Sequence, residues 1–243
     1  MRGSVVDEVA ERVAFDIVSG RLAAGERLPS IRRLAEEHAI NPATVQLVLG
    51  RLRTAGFVET RQGLGAVVRD VETDGGVETW RYLFRLSTGV PDLTARILAD
   101  LLETLRMFYE SALGKIARSP GAYDPAPVRR AVQRLDLLVR TGTPAPADVH
   151  HGVLQVLRAA SAALGGGVFL GVLNSLGPMF GDVPAVLDAV YADPGAHVWW
   201  WDTLVTAWES GDLDTARAAL TLLEDFEAQV IDRLHAILAA GTP

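Results

Sequence analysis

The sequence of 243 residues predicts a mainly α-helical fold in two parts, a winged helix-turn-helix over residues 1–72 and an all-α helical bundle over residues 79–243. Three observations predict it. Apolar residues recur at helical spacing in three successive tracts between Val6 and Leu52, each closed by a turn signal. Two short β-prone runs follow, joined by a glycine-bearing segment. From about Glu78 onward the pattern is helical throughout, and no convincing strand interrupts it.

Taken in order, Ser4-x-x-Asp7 has the form of a capping box. Val6, Val9, Val13 and Ile17 then share one face of a helix that Gly20 stops. Ser30, after Leu28 and Pro29, is placed to cap a short second helix whose Ile31, Leu34 and Ala35 point inward. Asn41 and Pro42 suit the cap and first position of a third helix, with Val45, Val48, Leu49 and Leu52 buried and Gly56 ending it. Residues 57–60 and 66–68 read as the strands of a hairpin whose turn is Arg61-Gln62-Gly63-Leu64-Gly65. Thr73, Asp74, Gly75 and Gly76 mark the boundary between the two parts. Beyond it, helical tracts are expected near 92–118, 126–140, 148–164, 168–180, 184–192, 196–209 and 213–239, divided by Pro and Gly.

Composition removes several function classes. With no Cys there is no disulfide framework, thiolate metal site or cysteine nucleophile. No apolar run reaches bilayer-spanning length and no leader pattern opens the chain, so the expectation is a soluble, cytoplasmic protein without a membrane role. Nucleophile-elbow and phosphate-loop patterns are lacking, which argues against an enzyme. The net charge of −7 is unevenly spread. Residues 1–70 hold ten Arg and nine Asp or Glu, a balance of +1, leaving 13 basic and 21 acidic residues, or −8, for the rest. The first part is therefore the one compatible with nucleic acid, whose phosphates are neutralised by Lys and Arg. A recognition helix presents its first turns to base edges in the major groove. That points to Ala43, Thr44 and Gln46, because Val45, Val48 and Leu49 face the core, and Gln46 has the bidentate amide suited to adenine.

The run Leu28-Pro29-Ser30-Ile31-Arg32-Arg33-Leu34-Ala35, then Asn41-Pro42-Ala43-Thr44-Val45, Arg51-Leu52-x-x-x-Gly56-Phe57-Val58 and Arg61-Gln62-Gly63-x-Gly65 resembles the DNA-binding domain of the GntR family of bacterial transcription regulators. The resemblance spans nearly all of residues 5–70. It implies a homodimer on a double-stranded DNA operator, contacted by Arg32, Asn41, Ala43, Thr44, Gln46 and the wing residues Arg61, Gln62 and Gly63. Related proteins often carry Arg where Pro42 and Gln46 stand here, which leaves the operator sequence open.

Residues 101–110, 171–176 and 210–216 resemble, less specifically, helices of the effector domain of the family's FadR branch. Many members of that branch hold a metal with one Asp and three His. Here Trp201 and Leu223 fall where the last two His would stand when the chain is aligned on Gly211-Asp212, Val153 and Leu157 fall where the Asp-x-x-x-His pair would stand when it is aligned on Gly165–Gly167, and the nearby Asp148 and His151 are spaced by three rather than four. No metal or other cofactor is therefore expected. The resemblance then implies a small-molecule effector, fatty acyl-CoA or a similar lipid-like molecule, with Arg106, His151, Gly166, Asn174 and Trp201 as candidate contacts and release from DNA, as for a repressor, as the outcome. Three consecutive Trp, at about 100° per residue on a helix, cannot all face one way, so at least one should reach a cavity, a subunit seam or solvent. Two alternatives stay open at this point: a constitutive DNA binder or scaffold without a ligand, and a metal-dependent regulator responding to organic acids.

Overall fold

The structure, a computed structural model, describes residues 4–240 and divides the chain into two compact units at Val90 and Pro91. In the first unit, helix α1 (Val5–Val18) begins in the expected capping box: the Ser4 hydroxyl accepts the Asp7 N–H and the Asp7 carboxylate accepts the Ser4 N–H, both at 3.2 Å. The Ser4 hydroxyl, which also donates to the Asp7 carboxylate at 2.9 Å, and then the Ser4 N–H hold the Asp7 carboxyl below its ordinary range. Ser30 caps α2 (Ile31–Glu37), and the Asn41 side-chain oxygen caps α3 (Pro42–Thr54) by accepting the Thr44 N–H at 2.8 Å. Between them Ala39 takes a left-handed φ of +51°, which lets the chain turn sharply from α2 into α3. Strands β1 (Val58–Arg61) and β2 (Gly65–Val68) pair antiparallel with Val58 opposite Val68 and Arg61 opposite Gly65.

Val9, Val13 and Ile17 of α1, Val48 and Leu52 of α3, and Phe57, Val58 and Val68 at the base of the hairpin form the core of this unit. A satellite cluster joins Leu34 and Ala35 to Val45. Two sequence expectations change. Ile31, the first residue of a seven-residue helix, lies at the rim with 36% of its surface exposed, and Leu49 is only half-buried at the flank of both clusters.

The expected boundary at residues 73–76 also moves. After a single turn α4 (Val71–Asp74), helix α5 (Val77–Leu86) belongs to the first unit. The reason is packing that glycines in the linker could not disclose. Tyr82 and Leu86 cover the α1–α3 core, the Tyr82 ring meets the edge of Phe57 at 5.4 Å, and Arg85 pairs with Glu11 at 2.8 Å.

Among its described residues the second unit contains helices and connecting turns but no strand. The two longest helices, α6 (Pro91–Arg118) and α12 (Leu213–Ala240), pack against each other. Helix α7 (Ala126–Arg140) packs on α8 (Pro146–Ala163) and α11 (Pro194–Ser210), while α10 (Pro184–Val190) packs on α12. Arg129 ties α7 to α11 by donating to both carboxylate oxygens of Glu209, at 3.0 and 2.7 Å, and to Asp202 and Thr206. The expected tract 168–180 is divided into α9 (Gly167–Leu176) and a 3₁₀ turn (Gly177–Asp182), because Pro178 lacks the N–H that an unbroken α-helix needs. Gly211, in the left-handed region at φ +74°, closes α11. Among the described residues no single helix is long and apolar enough to cross a membrane.

Candidate nucleic-acid interface and ligand cavity

The N-terminal turns of α3 and the hairpin tip supply the first candidate site. Val45 and Val48 anchor α3 in the core, and this fixes which side chains remain outside. Ala43 and Gln46 are exposed and Thr44 is half-buried. Asn41 commits its side-chain oxygen to the helix cap, so its part here is to fix the direction of the first turn. Arg32, with its side chain 91% exposed, reaches Glu36 at 3.3 Å. Arg61, at the end of β1, pairs with Glu59 at 2.5 Å. Such surface pairs are worth about 0–1 kcal/mol, so either guanidinium can exchange its carboxylate for a phosphate at little cost. Gln62 is exposed beside Gly63 and Gly65, both in the left-handed region at φ +78° and +83°, a tight tip open to close approach.

Two exposed apolar residues on these same elements were missed: Leu47 on α3 at 63% exposure and Leu64 at the hairpin tip at 48%. The signals were present, since Leu47 lies one residue out of step with the apolar stripe and Leu64 stands between two glycines.

The second candidate site is a cavity of about 260 Å³ inside the helical unit, walled by α6, α8, α9, α10, α11 and α12. All three consecutive Trp reach it. Trp201 is buried, Trp200 is half-buried with its indole N–H donated to the Ala219 carbonyl at 2.8 Å, and Trp199 is 57% exposed at the opening. Their indoles span the arc that backbone geometry imposes, yet each is large enough to touch the same space. Tyr109 packs edge-on against Trp200 and Trp201 with ring centres 4.9 and 5.6 Å away.

The polar residues of the wall are few. His150, buried, places Nε2 2.9 Å from the Gly177 carbonyl and Nδ1 2.8 Å from the Tyr191 hydroxyl. Burial lowers its proton affinity, so the ring is neutral: Nε2–H donates to the carbonyl and Nδ1 accepts from Tyr191. Burial likewise pushes the Tyr191 phenol upward, keeping it protonated. His197, also lowered by burial, has Nε2 3.0 Å from the Val190 carbonyl and is neutral with the same tautomer. Glu227, half-buried, is shifted upward by desolvation, with Arg106 3.8 Å away.

Of the five effector residues expected from the sequence, Trp201 lies in this wall and the other four do not. Arg106 is turned to Glu224 at 2.8 Å, His151 is exposed beside Gln155, Gly166 caps the start of α9, and Asn174 is exposed and accepts from Arg158 at 2.9 Å. The displacement is regular. Where Arg106, His151 and Asn174 were expected, their preceding neighbours Leu105, His150 and Leu173 line the cavity, a rotation of about 100° on each helix. Asp148 and His151 are not joined by further ligands; among the described residues no group of three or more His, Asp or Glu is placed to hold a metal ion.

The model of the bacterial regulatory proteins of the gntR family matches residues 5–68. The chain is similar to the HTH-type transcriptional regulator Mce2R of Mycobacterium tuberculosis, 45% identical over 109 residues, which is 44% of each chain. It is also similar to the uncharacterized HTH-type transcriptional regulator YhcF of Bacillus subtilis, 32% identical over 63 residues, covering 26% of this chain and 52% of that one. The match thus spans about half the length of these relatives. Among solved structures, Lar, which controls expression of the Listeria monocytogenes agr system and mediates virulence, shares the fold across 95% of this chain and 98% of its own, with a TM-score of 0.58 at 14% identity.

Proposed function

We propose that this chain, whose residues 5–68 match the gntR-family model, is a cytoplasmic transcription regulator that binds a pseudo-palindromic operator as a homodimer and leaves it when the helical unit takes up an effector. The observation that carries the DNA half is the exposure of Ala43 and Gln46 on the N-terminal turns of α3 while Val45 and Val48 hold the helix in the core. A second copy of the chain supplies the second half-site. The effector half rests on the cavity, which is enclosed largely by aliphatic and aromatic side chains, as small-molecule sites are.

The lipid part of the sequence expectation is kept: each buried methylene contributes about 0.8 kcal/mol, so a hydrocarbon body suffices for affinity. The coenzyme A head is not. Its phosphates need cations, and among the described residues no Lys or Arg lines the cavity. Fluorescence anisotropy with labelled DNA from upstream of the chain's own gene tests the reading. Saturable, salt-sensitive binding that an apolar ligand reverses is expected, and no preference for that DNA over a scrambled duplex would refute it.

A further inference from the structure

We propose that the cavity of the helical unit selects an apolar molecule whose polar end is a hydrogen-bond donor, an alcohol or an amine, and rejects fatty carboxylates; this rests on the reading of the cavity as the effector site.

The charge inventory of the wall comes first. Among the described residues no Lys or Arg lines it, and Glu227 is its one carboxylic acid. A carboxylate brought in among these side chains would lose its water and meet no cation. Arg106, the nearest cation to Glu227, lies outside the wall and donates to Glu224.

The direction of the wall's hydrogen bonds supplies the second argument. Neutral His150 gives its proton to the Gly177 carbonyl, and Tyr191 gives its own to His150. His197 donates to the Val190 carbonyl, Thr104 to the Asp100 carbonyl at 2.8 Å, and Trp200 to the Ala219 carbonyl. Each of these protons is committed to the protein, so the phenol oxygen of Tyr191, Nδ1 of His197, the hydroxyl oxygen of Thr104 and the carboxylate of Glu227 can act towards a guest only as acceptors. Against them stand, among the described residues, the indole N–H groups of Trp199 and Trp201 and the phenol O–H of Tyr109 as the wall's remaining donors. A guest with a donor therefore finds several acceptors and a negative charge, whereas one with a carboxylate finds three neutral donors, no cation and a like charge. The faces of the indoles add attraction for an ammonium group. The opening is bordered by exposed Val172, Trp199 and Leu222, an apolar rim suited to a hydrocarbon body.

The full chain is titrated near neutral pH with 1-decanol, decylamine and decanoate, three probes with one chain length and different heads, followed by tryptophan fluorescence and calorimetry. Decanol or decylamine should bind at least about tenfold more tightly than decanoate. If the amine leads, Glu227 takes the head; if the alcohol leads, the neutral acceptors do. Glu227→Gln should weaken decylamine, strengthen decanoate and leave decanol within about twofold. Decanoate binding as tightly as the other two, or none of the three binding, overturns the proposal. Should Glu227→Gln fail to fold, the ranking in the unaltered protein decides alone. Operator release is measured separately by anisotropy. Alcohol or amine binding without release leaves this inference standing and removes effector control, whereas tight decanoate binding with release does the reverse.

Discussion

The hydroxyl of Thr79 on α5 occupies the space that a β-carbon on Gly56 would need, and Gly56 itself sits in the left-handed region at φ +83°. The turn that ends α3 and the helix that extends the first unit are thereby fitted to each other. Gly56→Ala should destabilise the first unit by roughly 2–3 kcal/mol, part from the backbone and part from the collision. Adding Thr79→Ala should recover only the collision part. Urea melts of the two variants check this, and an unaltered midpoint in Gly56→Ala would mean that α5 does not seat here.

Ala39 makes the opposite case. Its φ of +51° is one that residues with a β-carbon adopt at a cost, and Gly adopts freely. Ala39→Gly should therefore leave stability unchanged or raise it by up to about 1 kcal/mol, although Gly is ordinarily destabilising. Thermal melting decides between this and the usual loss.

On the DNA face, Gln46→Ala should cost about 1–3 kcal/mol of operator affinity and relax the preference at one base pair. Arg61→Ala should weaken binding to operator and unrelated DNA alike and reduce the salt dependence, as loss of a phosphate contact does. Asn41→Ala should cost about 1 kcal/mol of stability through the lost cap at the start of α3. Competition binding with single-base operator variants separates the first two effects.

His150 and His197 set a pH dependence. Burial holds both below the ordinary imidazole value of 6.5, so as pH falls the unfolded chain takes up protons that the folded chain refuses. The stability they contribute is whole above about pH 6.5 and is lost progressively below it. The melting temperature of the helical unit should fall between about pH 7.5 and 5.5. A His150→Gln, His197→Gln double variant should show a flatter profile over the same interval, and equal slopes would exclude these two groups as the cause.

How much of this was legible in the sequence depends on which physical signal each residue carries. The caps at Ser4, Ser30 and Asn41 are local chemistry, and the chain folds around them as their spacing predicts. The winged helix-turn-helix followed by a helical domain was legible because apolar periodicity reports which side of a helix is buried, although Ile31 and Leu49 lie at the rim rather than in the core. Periodicity does not report what that side is buried against. Tyr82 reads as one aromatic in a helix, and nothing local says that it returns to Phe57. In the cavity, polar character drew attention to His151, Arg106 and Asn174, whereas the wall is built from the apolar stripe and from His150, the histidine whose ring nitrogens are both satisfied inside.

The lopsided charge of the chain, +1 over residues 1–70 and −8 beyond them, bears on how a regulator built this way would search a chromosome. Non-specific attraction to duplex DNA scales with the phosphates a protein neutralises, and here few cations are on offer while the larger unit repels the polyanion. Sliding along random sequence would be brief, and retention at any one place would be decided by base edges more than by bulk electrostatics. On the proposed reading, dissociation after effector uptake would leave few molecules lingering on neighbouring sequence, because little non-specific attraction holds them there.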